Sequence, residues 1–150
     1  MIVWRLSRHN SLEGSDTPGR WNLRKTKVLY TASNPSLCAW EVFAHQIDGD
    51  SWPTDYFLLK IEVQGTDILT ISARDLPEEW NTLAYKNSVR KFGSDIMARD
   101  KPLGFWVPSV VIPEEHNLIL NPQFPNYHSL VKLKETIPFE YDERFKKFLK

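Results

Sequence analysis

The chain has 150 residues, 41% of them hydrophobic, enough for one packed core and too few for two. Nineteen basic and nineteen acidic side chains cancel, with a sequence pI near 6.9. No global field therefore draws the protein to nucleic acid or to an anionic membrane, and an anionic ligand needs a local site.

The opening MIVWRLSRHN contains no apolar run of signal-peptide or membrane-span length, which predicts a cytoplasmic protein. Cys38 is the only cysteine, so no internal disulfide forms, and four histidines without CxxC or HxxxH spacing predict a metal-free mechanism. Within the opening, Ile2, Trp4 and Leu6 alternate with Val3, Arg5 and Ser7. That period of two predicts a strand with one core face and with Arg5 on the other.

Residues 8–25 carry Gly, Ser, Asp, Asn and Pro without apolar periodicity and read as an irregular loop ending near Arg20. KVLYTAS alternates again, with Val28, Tyr30 and Ala32 on one side. Asn34 as N-cap and Pro35 in the first turn then start a helix that should run to about Ile47. It reads as mostly buried, with a narrow polar stripe at Glu41 and His45.

YFLLKIEV is a half-exposed strand carrying Phe57, Leu59, Ile61 and Val63 on its core side. LPEEWNTLAYKNSVRKFG predicts a helix begun near Pro77 and stopped at Gly93, with SDIMAR adding a further short helix. FWVPSVVIP, NLILNP and HSLVKLKETIPFEY read as strands, and DERFKKFLK as a final amphipathic helix. With no repeat or Gly/Ser linker, the expectation is a single α+β domain over residues 1–150, with mixed or antiparallel sheets and flanking helices.

Arg20, Tyr30 and Glu41 fall at intervals of ten and eleven residues. A guanidinium grips phosphate through parallel hydrogen bonds, a tyrosine offers a ring face, and a carboxylate accepts from a hydroxyl or stabilises developing positive charge. A nucleotide fits that set, although GxGxxG and Walker A sequences are both absent. A glutamate within an apolar helix is costly unless it is paired or protonated, and a polar pocket gives it a reason to be there.

The stretches GRWN (19–22), VLYTASNPSLCAWEVFAH (28–45), WVPSVVIPEEHNLILNP (106–122) and PFEYDERF (138–145), with the opening VWRLS, resemble the RES-domain family. That family supplies the toxin of bacterial RES–Xre toxin–antitoxin pairs. The resemblance implies a fold similar to ADP-ribosyltransferases and loss of nicotinamide from NAD⁺ by hydrolysis, phosphorolysis or ADP-ribosyl transfer to a protein. It carries the family's Arg, Glu and Ser onto Arg20, Glu41 and Ser109, with the active-site tyrosine at Tyr30. It also implies a helical Xre-type antitoxin as partner. The segment SLEGSDTPGRWN is shorter and poorer in glycine than is usual for the family, so the pocket entrance is expected to differ.

On this reading Glu41 bonds a hydroxyl of the nicotinamide ribose and offsets oxocarbenium charge. Arg20 holds the pyrophosphate, Tyr30 packs against nicotinamide, Ser109 hydrogen-bonds nearby, and Arg5 is a second phosphate or ribose contact. The same residues have plain structural readings: an ordinary Arg20–Glu41 ion pair, a core aromatic at Tyr30, a turn hydroxyl at Ser109. A catalytically silent RES-like domain that binds a nucleotide or a protein stays open, as does an RNA-binding module built on the six tryptophans. Direct nucleic-acid binding is not expected without a basic stripe, and a homo-oligomer is compatible with the sequence.

Overall fold

Strands form where the sequence alternates. Ile2–Ser7 (β1) pairs antiparallel with Tyr56–Val63 (β3) along its whole length, from Ile2 opposite Glu62 to Ser7 opposite Phe57. Its other edge meets Leu29–Ala32 (β2) at one pair, Trp4 with Ala32, so the sheet parts between these two strands. The computed structural model describes residues 1–149. Within them Ile68–Thr70 (β4), Gly104–Pro108 (β5), His116–Leu120 (β6) and Val131–Phe139 (β7) complete one seven-stranded sheet, ordered β4-β5-β6-β2-β1-β3-β7. The β4–β5 pairing is parallel and the others are antiparallel. The sequence reading missed β4, which is three residues long and has no room to show a period.

Both faces of the sheet are covered. On one, Val3, Leu59 and Ile61 pack with Leu118, Leu120 and Tyr127. The other carries two helices, Pro35–Asp48 (α1) and Asn87–Arg99 (α2). Register places Ala32, Tyr30, Ile119 and Phe105 on this second side. There α1 packs Leu37 and Cys38 against Leu6 and Ala32, while α2 packs Val89, Ile96 and Met97 against Phe105, Val107 and Ile119. Double coverage corrects the expectation for β1. Alternation separates the two sides, but neither is a solvent side: Val3 is fully buried, and Arg5, which shares its side, is drawn inward.

The N-terminus of α1 is as expected: Asn34 Oδ1 accepts from the Leu37 amide at 2.8 Å and Pro35 occupies the first turn. Its burial is not. Of its side chains only Leu37, Cys38 and Phe43 are buried, and Trp40 and Ile47 are 46% and 36% exposed.

The helix expected over 77–93 is displaced. Residues 77–86 form turns, α2 begins at Asn87, runs through Gly93, and absorbs SDIMAR to end at Arg99. Gly93 is a contact glycine rather than a stop: a Cβ there would fall 1.9 Å from the Trp21 carbonyl oxygen. Val89, Gly93, Ser94, Ile96 and Met97 make the buried stripe, at helical spacing.

Residues 128–141 yield one strand, β7, entered from the one-turn helix Tyr127–Leu130. The expected C-terminal helix is a 3₁₀ segment, Glu143–Phe148, whose Phe145 ring lies 5.5 Å from that of Phe43. Lys150, the last residue of that expected helix, lies outside the described residues. Among the described residues no helix is long and apolar enough to cross a membrane.

Candidate active site

Glu41 stands on the sheet-facing side of α1, where two donors meet its carboxylate. Ser109 Oγ donates to Oε1 at 2.8 Å and Asn117 Nδ2 donates to Oε2 at 2.9 Å. Ser109 begins the turn that joins β5 to β6, is fully buried, and accepts from the amides of Val111 (3.1 Å) and Ile112 (3.2 Å). With both of its acceptor positions taken, its proton has one direction to go, toward Glu41. The turn is tied down in turn: the Ser109 amide donates to the Glu115 carbonyl, and Glu115 Oε2 accepts from the Asn34 side chain at 2.7 Å. Burial pushes the Glu41 carboxyl above the usual carboxylate range, against the two hydrogen bonds and the more distant Arg20 charge, which favour the ionised form.

Arg20 lies on the irregular loop, and α2 positions that loop. Arg90 Nε donates to the Gly19 carbonyl at 3.0 Å, Gly93 admits the Trp21 backbone, and Ser94 Oγ accepts from the Leu23 amide at 2.8 Å. The Arg20 guanidinium crosses to residues 80–85: Nη1 donates to the carbonyls of Trp80 (2.9 Å) and Thr82 (2.7 Å), and Cζ sits 4.7 Å from the centre of the Tyr85 ring. Arg20 and Glu41 form no direct ion pair, and the charge of each favours the ionised form of the other only weakly beside the effect of burial. The plain structural reading of the two as a paired salt bridge is therefore not what the fold contains.

Tyr30 is mostly interior. Its hydroxyl donates to Asn22 Oδ1 at 2.5 Å and accepts from the Trp21 amide at 3.0 Å, and burial pushes its pKa up. Asn22 is fully buried and closes the loop around itself: Oδ1 also accepts from the Gly19 amide, and Nδ2 donates to the carbonyls of Thr17 and Thr26. A Cβ on Gly19 would lie 2.5 Å from the Tyr30 hydroxyl, which is why GRWN begins with glycine. Arg5 donates from Nη1 to the Tyr30 carbonyl at 2.8 Å, across the gap where β1 and β2 separate. Its Nε is buried without a partner.

The sequence-predicted residues are not all gathered in one place: Arg5 belongs to the Val3 face of the sheet, opposite the helices, and the others have unequal roles. Glu41 and Ser109 are in contact, Arg20 is in electrostatic range, and the Tyr30 hydroxyl is consumed inside the loop. Asn117, Asn22 and Tyr85 were missed. A lone amide in the apolar run HNLIL was a legible signal for Asn117. Tyr85 was hidden by assigning 77–93 to a helix. An apolar hollow of about 200 Å³ lies elsewhere, between α1 and residues 139–145, and Glu41, Ser109 and Asn117 do not line it.

The family model of the RES domain matches residues 2–142. Toxin Res of Photorhabdus laumondii is 29% identical over 98% of both chains. The Prs ADP-ribosylating toxin of a Sphingobium species is 29% identical over 85% of this chain and 80% of its own. A chain of the crystal structure of the M. tuberculosis MbcT–MbcA toxin–antitoxin complex superposes with a TM-score of 0.73, at 16% identity, over 99% of this chain and 87% of that one, and shares its fold. On the family match along nearly its whole length, the chain belongs to the RES domain family.

Proposed function

We propose that the protein is an NAD⁺-consuming toxin of a toxin–antitoxin pair, which cleaves the bond between nicotinamide and ribose. The observation that carries this reading is the Glu41 carboxylate, half-buried, ordered by donors from Ser109 and Asn117, and favoured in its ionised form by the Arg20 charge. Each carboxylate oxygen has a second acceptor position beyond the one its protein donor uses, so Glu41 can take a hydroxyl of the nicotinamide ribose.

When the C1′–N bond breaks, its electron pair leaves with neutral nicotinamide and positive charge develops at C1′ and the ring oxygen. A fixed anion lowers the energy of that state more than that of the ground state, because it needs no reorganisation as the charge appears. Water, phosphate or a protein side chain then bonds to C1′, and water or a protonated acceptor gives up its proton to solvent. Ser109 acts here through Glu41, as a positioning residue. Arg20 takes the pyrophosphate and Tyr30 presents ring rather than hydroxyl, whereas Arg5, on the opposite face of the sheet with its Nε buried, serves the fold by holding the Tyr30 carbonyl.

The names of the relatives support the toxin assignment and, for the Sphingobium protein, ADP-ribosyl chemistry. A helical antitoxin of the Xre type that covers the pocket, and a cytoplasmic location, complete the proposal. Purified antitoxin-free protein incubated with NAD⁺ is expected to release nicotinamide. No release with water, phosphate or added protein as acceptor, from a folded sample that still binds NAD⁺, would leave a silent binding domain as the reading.

A further inference from the structure

Arg20 has five N–H donors, and the structure spends only those of Nη1. Both of its protons go to residues 80–85, an irregular strap, through the carbonyls of Trp80 and Thr82. Among the described residues Nε and Nη2 donate to no protein group. These two nitrogens form the side-on edge of the guanidinium, the edge that matches two phosphate oxygens in parallel. Strap and anion therefore do not compete for Arg20. The strap holds the guanidinium in one plane and leaves its recognition edge free.

Tyr85 completes that grip. Its ring sits 4.7 Å from Arg20 Cζ and 5.6 Å from Arg90 Cζ, and it is 40% exposed, so it covers cations without being part of the core. Arg90 is itself fastened to the Gly19 carbonyl, the residue before Arg20. Thr82 Oγ1 reaches the carbonyls of Ala84 (2.8 Å) and Glu79 (3.1 Å), closing the strap as a local turn. A long arginine side chain loses considerable rotamer freedom when it is fixed, so holding it before the ligand arrives lowers the cost of binding.

We infer that Tyr85 is a positioning residue for the pyrophosphate of the substrate, acting through the plane of Arg20. The inference rests on the NAD⁺ reading for its substrate but concerns a residue and a segment to which that reading assigns nothing. The contact it invokes uses the ring face, not the hydroxyl.

The test compares Tyr85→Leu and Tyr85→Phe with the wild type, using nicotinamide release from NAD⁺ and calorimetric binding of two probes, ADP-ribose and adenosine. Tyr85→Leu is expected to raise KM and to weaken ADP-ribose binding by roughly three- to tenfold, the value of a cation–ring contact, with kcat held within about twofold. Tyr85→Phe should behave as wild type, and adenosine, which has no pyrophosphate, should bind all three proteins equally. Unchanged ADP-ribose affinity in Tyr85→Leu overturns the inference. So does an equal loss in Tyr85→Phe, an equal loss for adenosine, or a fall in kcat alone. Wild-type protein that binds ADP-ribose but releases no nicotinamide rejects the enzymatic reading, and the binding arm still decides the role of Tyr85.

Discussion

The carboxylate of Glu41 is held by two side chains anchored by the sheet, Ser109 immediately after β5 and Asn117 on β6, whereas the guanidinium of Arg20 is held by two main-chain carbonyls of an irregular strap. Each support suits its task. A group that must meet charge at one atom gains from rigid strands, where packing limits its displacement. A group that grips a diffuse anion needs an aligned plane, which two main-chain carbonyls and one ring face supply with little dependence on the strap's other side chains. The Glu41 end should therefore be sensitive to substitution of both its supports, and the Arg20 end to substitution of Arg20 itself and, less strongly, of Tyr85.

The strongest way to break the comparison is Glu41→Gln. Losing the fixed anion is expected to lower kcat for nicotinamide release by roughly 10²- to 10³-fold, with the fold retained by circular dichroism. A variant that turns over normally would place the chemistry elsewhere. Next in size is Arg20→Lys, which keeps the charge but has no planar fork and no way to hold two carbonyls while presenting a side-on edge. A loss of about tenfold or more in kcat/KM, carried mainly by KM, is expected from steady-state kinetics.

Asn117→Leu sharpens the contrast through pH. Burial already raises the Glu41 pKa, and the Asn117 bond opposes that rise. Removing the bond raises it further, so the acidic limb of the kcat/KM profile should move to higher pH. Stability carries the same sign. Glu41 binds its proton more tightly in the folded than in the unfolded chain, so its contribution is complete below the ordinary carboxylate range and is lost as pH rises through the folded value. Melting curves of Asn117→Leu should show a larger loss between acid and neutral pH than those of the wild type. The smallest effect belongs to Thr82. Thr82→Ala leaves the carbonyl that Arg20 uses, and KM should change by less than about twofold.

Legibility in the sequence followed the range of the interactions. The start of α1 was readable because Asn34, Pro35 and Leu37 are neighbours along the chain and settle the cap among themselves. The alternation of β3 was readable because Leu59, Ile61 and Val63 all face one packed layer. Gly93 misled, because a glycine that ends a helix and one that admits a neighbouring backbone look identical in one dimension, and Trp21 is distant in sequence. The strap was lost through the same error. Arg5 was misplaced because alternation reports two faces without telling whether a second layer covers each of them.

Local order therefore determined much by itself. The period-two runs, the cap of α1, the irregular loop before Arg20 and the Arg20, Tyr30, Glu41 spacing are all properties of residues close along the chain, where propensity and patterning act. Only the tertiary structure decided that Ser109 and Asn117 converge on one carboxylate from across the β5–β6 turn, that the Tyr30 hydroxyl belongs to the loop, and that residues 80–85 hold Arg20. Those contacts join segments tens of residues apart, and their partners are chosen by sheet register and helix packing rather than by any preference written into the neighbouring residues.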